Sequence, residues 1–453
     1  MTRKKKKIFS GAPPEKVAED LKPLLQFKEK GMPLSELRAL LEQHLFPHLM
    51  DYEQPQFQSM FNTVPEPGAK FGAVLNVQFN QGVTNWQVSP GGAMLEELCC
   101  KALCLLFGLA LDSDATFMYC GTYANQQALY MALHRYAEKQ GFDLNQKGLT
   151  GFKHPDKLYV LCSQDAHFSL RHAVRTLGLG EKSLVPVPVD SNRRMDEKKF
   201  RQKINELGRK HIFCAVVTAG TTPFGSVDPI AGIAEACINE DIWVHVDGAY
   251  GLAYSLLSEW EHLFQGKELA DSLSWDPHKQ FGVPIPNSLL MAKNEKDFER
   301  MTLYSDYFNP RQDPHPNPGL KSAPSTRPFS ALPLVTSLLH QGLRRAKHRL
   351  RSPLEAVRRA ALDIKKEDEL ELNVKPDTGI LCFRVKPKDF PKEKLNSLQE
   401  FIYEHVMSQG EHTLSKTKLG EKTVLRLVAV SPKVQSRHLL ETAFLCRTVA
   451  QTY

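Results

Sequence analysis

The stretch WVHVDGAYGLAYSLLSEWEHLFQGKELADSLSWDPHKQFGV, residues 243–283, decides the fold of this chain. It opens on an apolar, β-rich run, 242–246, that ends at Asp247, a pattern typical of a buried strand. A second short run of this kind, 271–275, is followed by a proline-marked turn and Lys279. Open α/β sheets place ligands at the carboxyl ends of their strands, so we expect Asp247 and Lys279 to share one crevice.

A lysine and a carboxylate in one crevice are the minimum set for holding pyridoxal phosphate (PLP). The lysine forms a Schiff base with the cofactor, and the carboxylate pairs with the protonated ring nitrogen. Taken alone, Lys279 could lie on the surface and Asp247 could cap a turn. The neighbours Trp275, His278 and Phe281 favour a buried lysine, and the two residues together favour a PLP site.

The rest of the central region alternates between strand-like and helix-like runs. Strands are predicted at 115–119, 157–162, 184–189 and 212–218, and helices at 93–107, 124–139, 169–177, 197–208 and 229–239. Such alternation predicts an α/β fold with a mostly parallel central sheet and helices on both of its faces.

With 453 residues the chain is too long for one compact core. We expect a basic tail and N-terminal helical extension over residues 1–64 and a large cofactor-binding domain over 65–342. A small C-terminal α/β domain is expected over 343–453. Its predicted strands are 379–385 and 424–430, and its predicted helices lie near 353–365, 392–408 and 434–450.

The charge of the chain is concentrated at its start. Net charge is +7, and the run Arg3–Lys7 carries much of it. Because no aromatic or glycine pattern accompanies this run, it favours a solvated tail over a nucleic-acid-binding arm. We expect no nucleic-acid partner.

The cysteines and the apolar stretches indicate the compartment. The nine cysteines are irregularly spaced, which suits neither a disulfide framework nor a zinc site, so we expect reduced thiols, no metal and a cytoplasmic location. The most apolar stretch, 103–111, is too short to span a bilayer. The basic N-terminus lacks the apolar core of a secretory signal.

Five short motifs follow one another along the chain. They are Asn85-Trp86-Gln87-Val88-Ser89-Pro90, Asp165-Ala166-His167, Gly220-Thr221-Thr222, His245-Val246-Asp247-Gly248-Ala249-Tyr250 and Asp276-Pro277-His278-Lys279. With these motifs in this order, the chain resembles the PLP-dependent group II amino-acid decarboxylases, a family that includes glutamate, cysteine sulfinate, aspartate and aromatic amino-acid decarboxylases. The resemblance implies an aspartate-aminotransferase-like fold of type I, a carboxy-lyase activity and a homodimer with its active site at the subunit interface.

The resemblance also implies a role for each matched residue. Lys279, Asp247 and His167 are the expected catalytic residues, and His167 stacks on the cofactor ring and approaches the substrate carboxylate. The cofactor-binding set further includes Ala249 under the ring, the phosphate turn and two residues that complete the shell, namely Gly121, Thr122, Tyr123, Thr221 and His278.

The residues implied for substrate binding lie outside the central region. Arg426, inside an apolar strand, resembles the family's carboxylate-binding arginine, although pairing with a structural carboxylate is the alternative. Thr63 resembles the N-terminal segment that lines the substrate pocket. The sequence after Lys279 resembles the branch acting on acidic substrates, whereas Trp86 is closer to the aromatic and diamino-acid branches. A small acidic amino acid is the expected substrate.

Three positions depart from the family pattern. Tyr123 stands where relatives carry a small residue, and Asp276 replaces an asparagine in the phosphate region, where a carboxylate is unfavourable unless it faces away or is screened. Pro316 stands near the tyrosine that protonates Cα in relatives. The proton could instead come from His167 or from a tyrosine at 304 or 307. Three other outcomes also stay open: formation of an aldehyde, cleavage of a carbon–carbon bond, or a pseudoenzyme that only binds the cofactor.

Overall fold

A computed structural model describes residues 7–306 and 309–453 of the chain. The run Arg3–Lys6 of the basic tail lies outside the described residues. The structure divides into two compact units. The large unit is Pro65–Arg351, and the terminal unit combines the described residues up to Val64 with Ser352–Tyr453.

The helices and strands have the following bounds. The α-helices are α1 (Pro14–Leu21), α2 (Leu34–His44), α3 (Pro67–Phe79), α4 (Pro90–Leu106), α5 (Gly121–Lys139), α6 (Leu144–Lys147), α7 (Ser169–Thr176), α8 (Glu197–Leu207), α9 (Ile230–Asn239), α10 (Ala331–Ile364), α11 (Leu395–Gln409) and α12 (Ser436–Ala450). The strands are β1 (Asp114–Met118), β2 (Tyr159–Ser163), β3 (Leu184–Val187), β4 (Ile212–Thr218), β5 (Trp243–Asp247), β6 (Ser272–Trp275), β7 (Ser288–Ala292), β8 (Leu370–Leu372), β9 (Ile380–Val385), β10 (Ser415–Leu419) and β11 (Lys422–Val428).

The sheet of the large unit runs in the order β1-β7-β6-β5-β4-β2-β3. Strands β3, β2, β4, β5 and β6 are parallel neighbours, and β7 pairs antiparallel with both β6 and β1. Every residue of β4, β5 and β6 is buried, as expected for parallel strands covered on both faces. The predicted α/β class with a mostly parallel sheet is confirmed.

Strand β7 was not predicted from the sequence. Its five residues, SLLMA, are all buried, so they lack the alternation that marks a half-exposed strand. A short apolar run of this kind is equally consistent with a buried helical segment.

Helix α5 is the central helix of the large unit. Its buried side includes Asn125, Ala128, Leu129 and Ala132, and it belongs to the hydrophobic cluster that holds Val160, Phe213 and Trp243 on the sheet. Because α5 begins three residues after β1 ends, its first turn lies at the carboxyl edge of that strand.

The terminal unit has an antiparallel sheet in the order β10-β11-β9-β8. The predicted strands near 379–385 and 424–430 correspond to β9 and β11, whereas β8 and β10 were not predicted. Only the first of the five β10 residues is buried, so the strand lacks a run of buried positions that would mark it. Helices α11 and α12 cover this sheet with the apolar cluster that includes Leu398, Ile402 and Leu439.

Over residues 7–306 and 309–453, no helix combines the length and apolar character that a membrane crossing requires.

Candidate active site

The carboxyl ends of β5 and β6 bring the two central residues of the sequence analysis to one edge of the sheet. Asp247 is the last residue of β5 and lies opposite Ser274 of β6 in the parallel register. Lys279 follows β6 by a turn in which its N–H donates to the carbonyl of Asp276 at 3.1 Å. The strand order therefore places Asp247 at the carboxyl end of β5 and Lys279 in the turn that follows the adjacent strand β6.

The Asp247 carboxylate is buried and accepts hydrogen bonds from several donors. The Asn125 amide donates to its Oδ2 at 2.8 Å, and the Ser274 hydroxyl donates to its Oδ1 at 3.3 Å. The backbone N–H of Ala249 also donates to Oδ1 at 3.3 Å. These donors hold the Asp247 carboxylate in place as an acceptor.

The ammonium of Lys279 pairs with Asp276. The Nζ–Oδ2 distance is 3.1 Å, and the side chains are 20% and 3% exposed. The Ser288 hydroxyl donates to the other Asp276 oxygen at 2.6 Å, and His278 Nε2 lies 3.6 Å from Oδ2. Asp276 therefore does not face away from the site; its charge is offset by Lys279 and Ser288.

The first turn of α5 offers an anion-binding edge beside Asp276. A Cβ added to Gly121 would lie 2.9 Å from the Ala249 Cβ and 3.2 Å from both Asp276 carboxylate oxygens. The first N–H groups of a helix have no intrahelical acceptor and carry the positive end of its dipole. Gly121 and Thr122 thus present an edge suited to a phosphate, whereas the Tyr123 side chain is 53% exposed.

His167 lies in the turn between β2 and α7. Its Nδ1 accepts a hydrogen bond from the Ser169 N–H at 3.2 Å, so the neutral ring carries its proton on Nε2. Burial lowers the pKa of His167, although the charge of Asp247 acts in the opposite direction. The ring is therefore uncharged at neutral pH, with an N–H available on its other side.

The other predicted cofactor residues occupy buried turns nearby. Thr221 is fully buried and closes a turn with Ser226, whose N–H donates to Thr221 Oγ1 at 3.2 Å. Ala249 is 9% exposed and follows Asp247. His278 donates through Nδ1 to the Asn287 carbonyl at 2.5 Å. Burial lowers the pKa of His278, and Asp276 opposes this.

Sequence reasoning missed Asn125 as a site residue. It lies one helical turn after Gly121 on α5 and is 1% exposed. A polar residue four positions after the predicted phosphate turn was the available signal, because helix periodicity puts both on one face.

The predicted substrate residues lie in the terminal unit. Arg426 of β11 is buried, and its NH1 donates to the Ser415 hydroxyl at 2.6 Å. Its guanidinium carbon lies 5.3 Å from the centroid of the Phe61 ring. Thr63 is partly buried in the segment that follows Phe61.

The proline-rich segment 304–328 is fastened at its downstream end. Arg327 donates to the carboxylate of Glu96, to Thr116 Oγ1 at 3.1 Å and to the Val83 carbonyl at 3.2 Å. Upstream, the ring of His315 stacks on Trp86 with centroids 5.2 Å apart.

Of the two tyrosines upstream of Pro316 at 304 and 307, the structure describes only Tyr304. The ring of Tyr304 lies under Arg311, at 4.9 Å from the guanidinium carbon. Tyr307 lies outside the described residues.

One protein-family model matches most of the chain. The protein-family model described as "Pyridoxal-dependent decarboxylase conserved domain" matches residues 14–386. The chain belongs to this family.

Named relatives of this decarboxylase differ in their substrates. It is 29% identical over 366 residues to the L-2,4-diaminobutyrate decarboxylase of Acinetobacter baumannii, covering 78% of this chain and 72% of the relative. It is 25% identical over 446 residues to the human acidic amino acid decarboxylase GADL1, covering 94% and 83% of the two chains.

Solved structures share the fold of this decarboxylase. The glutamate decarboxylase domain of a Vibrio parahaemolyticus diaminobutyrate-pyruvate transaminase and L-2,4-diaminobutyrate decarboxylase matches with a TM-score of 0.88 at 24% identity, covering 99% of this chain and 92% of that chain. Mouse CSAD in its apo form matches with a TM-score of 0.90 at 22% identity, covering 99% and 94%. The predicted family, fold and carboxy-lyase class are confirmed.

The residues of the large unit fit PLP, the cofactor of this family. The first turn of α5 at Gly121 offers an anion-binding edge. Lys279 offers an amine 3.1 Å from Asp276, and Asp247 offers a buried carboxylate that accepts hydrogen bonds. The predicted cofactor is confirmed. Among the described residues no cluster of three or more His, Cys, Asp or Glu could hold a metal ion.

Proposed function

We propose that this decarboxylase removes CO2 from a small acidic L-amino acid and releases the amine. The observation that carries the reaction type is the pair Asp247 and Lys279 at the ends of β5 and β6, with a neutral His167 nearby. The Lys279–Phe281 sequence and the acidic-amino-acid relatives support the substrate class. The diaminobutyrate relative makes a diamino acid the competing substrate.

Each large-unit residue has a defined task in this proposal. PLP, when bound, supplies the electron sink for the carbanion left by departing CO2. Lys279 would attach the cofactor, and Asp247 would hold the proton on its ring nitrogen. His167 would contact the ring and present its Nε2–H toward the substrate. Because Nδ1 already accepts from Ser169, only Nε2 can donate in the neutral ring.

The remaining cofactor contacts follow from the turns. Gly121 and Thr122 would bind the phosphate through backbone N–H groups, with Tyr123 flanking them. Ala249 would pack under the ring, and Thr221 and His278 would complete the shell. A phosphate on the α5 N-terminus gains from the helix dipole, which offsets part of the repulsion by Asp276.

For the substrate, we propose that Arg426 anchors a carboxylate and that Thr63 lines the pocket. An arginine that is 4% exposed within a strand is suited to an anionic ligand. Replacing Arg426 with Gln should raise KM by about tenfold or more, the effect of losing one charge-assisted hydrogen bond. The control Ser415→Ala keeps the charge and should change KM far less.

One experiment tests the reaction and the substrate together. Purified protein with PLP is incubated with each common L-amino acid, cysteine sulfinate and diaminobutyrate while CO2, amine and peroxide are measured. We expect equal amounts of CO2 and amine, without peroxide, from an acidic substrate. Release of CO2 from diaminobutyrate alone would contradict the substrate class. Peroxide in amounts equal to CO2 would favour aldehyde formation, the outcome that Pro316 suggests.

We also propose that the enzyme is a homodimer with its active sites at the subunit interface. Helix α3 exposes a row of apolar side chains, Phe71, Val74, Val77 and Phe79, at 57–80% exposure. A cavity of about 770 Å³ lined by Phe117, Tyr119 and Tyr123, among others, opens in the same unit. A second copy would bury such surface.

Sedimentation velocity should therefore show a dimer. Phe71→Asp and Val77→Asp should shift the protein toward monomer and lower its activity together. An active monomer would contradict an interfacial site.

The nine free cysteines support the proposed cytoplasmic location, because free thiols persist in a reducing compartment.

A further inference from the structure

A chain of hydrogen bonds runs through the large unit behind Asp247. It begins at the Trp243 indole, whose Nε1–H donates to the Ser272 hydroxyl at 2.9 Å. Ser272 Oγ lies 2.9 Å from His245 Nδ1, and His245 Nε2 lies 3.0 Å from Asn125 Oδ1. The Asn125 amide nitrogen then donates to Asp247 Oδ2 at 2.8 Å.

The two ends of this chain fix the direction of the bonds on either side of Asn125 and of the bond from the indole. An indole N–H can only donate, and an ionised carboxylate can only accept. The Asn125 amide must turn its nitrogen to Asp247, because the opposite orientation would set two acceptors against each other. Its oxygen therefore accepts from His245 Nε2–H, and in the neutral ring His245 Nδ1 accepts the proton of Ser272.

This assignment requires a neutral His245 with its proton on Nε2. The ring is fully buried, and burial lowers its pKa to about 4 although the charge of Asp247 opposes this. The bond to Asn125 Oδ1 places the ring proton on Nε2. Burial then keeps the ring neutral, with Nδ1 as an acceptor for the Ser272 hydroxyl proton.

We propose that Asn125 and His245 are positioning residues that orient the Asp247 carboxylate as an acceptor, so that the proton it shares stays on the cofactor's ring nitrogen. Aligned donors polarise one another in a site of low dielectric constant. The inference rests on the proposed pairing of Asp247 with that nitrogen. Neither Asn125 nor His245 is placed to touch the ring through this chain; both act through Asp247.

The chain also connects Asp247 with His167. The second Asn125 amide hydrogen donates to Ser169 Oγ at 2.9 Å, and the Ser169 N–H donates to His167 Nδ1 at 3.2 Å. Asn125 thus fixes the Asp247 carboxylate directly and supports the residue that sets the His167 tautomer.

The test uses the PLP-loaded enzyme with ¹⁵N in the cofactor ring, whose chemical shift reports protonation of that nitrogen. Wild type should show a protonated nitrogen. Asn125→Leu removes the donor at similar volume, which makes Asp247 a stronger proton acceptor and should move the shift toward the unprotonated value. PLP affinity should fall by about ten- to a hundredfold, the loss of one charged hydrogen bond.

The control is His134→Leu, a buried residue of the same helix whose ring packs on Tyr130 at 4.5 Å. It should lower the stability of the apoprotein without moving the ¹⁵N shift. His245→Gln interrupts the chain one bond earlier and should give a smaller change of the ¹⁵N shift in the same direction. If Asn125→Leu fails to fold, His245→Gln serves as the test variant.

The ¹⁵N spectra of wild type and variants distinguish the role of Asp247 from the roles of Asn125 and His245. An unprotonated ring nitrogen in the wild type would refute the role of Asp247 itself. A protonated nitrogen in wild type that stays protonated in Asn125→Leu and His245→Gln would overturn the positioning role alone. Imidazole ¹⁵N spectra of the wild type should show His245 as the Nε2–H tautomer, and an Nδ1–H tautomer would also overturn it.

Discussion

Replacing Arg327 with Met should destabilise the large unit strongly. Arg327 and Glu96 form an ion pair whose side chains are 4% and 1% exposed. The substitution keeps an unbranched apolar stem of similar length but leaves the Glu96 carboxylate buried without its cation. The downstream end of the proline-rich segment 304–328 would also lose its attachment to Thr116 and the Val83 carbonyl.

The magnitude follows from the burial of both partners. Removing one member of a buried ion pair costs about 3–5 kcal/mol, because the remaining charge is not compensated. The expected loss in free energy of unfolding is therefore about 3–5 kcal/mol. Replacing both residues, as in Glu96→Leu with Arg327→Met, should recover most of this loss, since no charge is then left buried.

The pH dependence of this loss has a definite sign. Burial raises the pKa of Glu96, and the charge of Arg327 opposes the rise. In Arg327→Met the opposition is gone, so the folded state binds the proton more tightly than the unfolded state. Stability from this group is present below the unfolded pKa and is lost as pH rises through the folded pKa. The variant should therefore be least stable in alkaline buffer.

Urea unfolding of the apoprotein at several pH values measures both effects. A loss below about 1 kcal/mol, in the range of an exposed ion pair, would refute the argument from burial. So would a stability deficit that grows as the pH falls.

Two further substitutions test the phosphate region. Gly121→Ala places a Cβ 2.9 Å from that of Ala249 and should weaken PLP binding by about tenfold or more. The control Gly91→Ala, with open space around its added Cβ, should leave binding unchanged. Equal effects of the two substitutions would contradict a phosphate site at Gly121. Asp276→Asn keeps an oxygen for the Ser288 hydroxyl but removes a negative charge beside this site, so PLP affinity in a fluorescence titration should rise by about tenfold, and a fall would show that Asp276 is needed as a charge.

The sequence predicted those parts of the site that a single local pattern specifies. Strand β5 is a mostly apolar run that ends in a carboxylate, so its burial and the place of Asp247 at its carboxyl end followed directly. The position of Lys279 after β6 followed in the same way. The first turn of α5 was visible as strand, small residues and helix.

The sequence could not predict what depends on pairing across the fold. The antiparallel β7 inserts between β1 and β6, and nothing in SLLMA distinguishes it from a helix segment. The contacts of Asn125 with His245 and Asp247 join residues 120 and 122 positions apart. Asp276 was expected to conflict with a phosphate, and only the structure shows Lys279 and Ser288 offsetting its charge.

The central claim is that Lys279 is the residue that attaches PLP covalently. The most direct measurement reduces the PLP-loaded protein with borohydride and maps the modified peptide by mass spectrometry, in wild type and in Lys279→Ala. We predict a phosphopyridoxyl group on Lys279 in wild type, and no such group and no CO2 release in the variant. A modified lysine elsewhere, or a variant that keeps the covalent cofactor, would contradict the account.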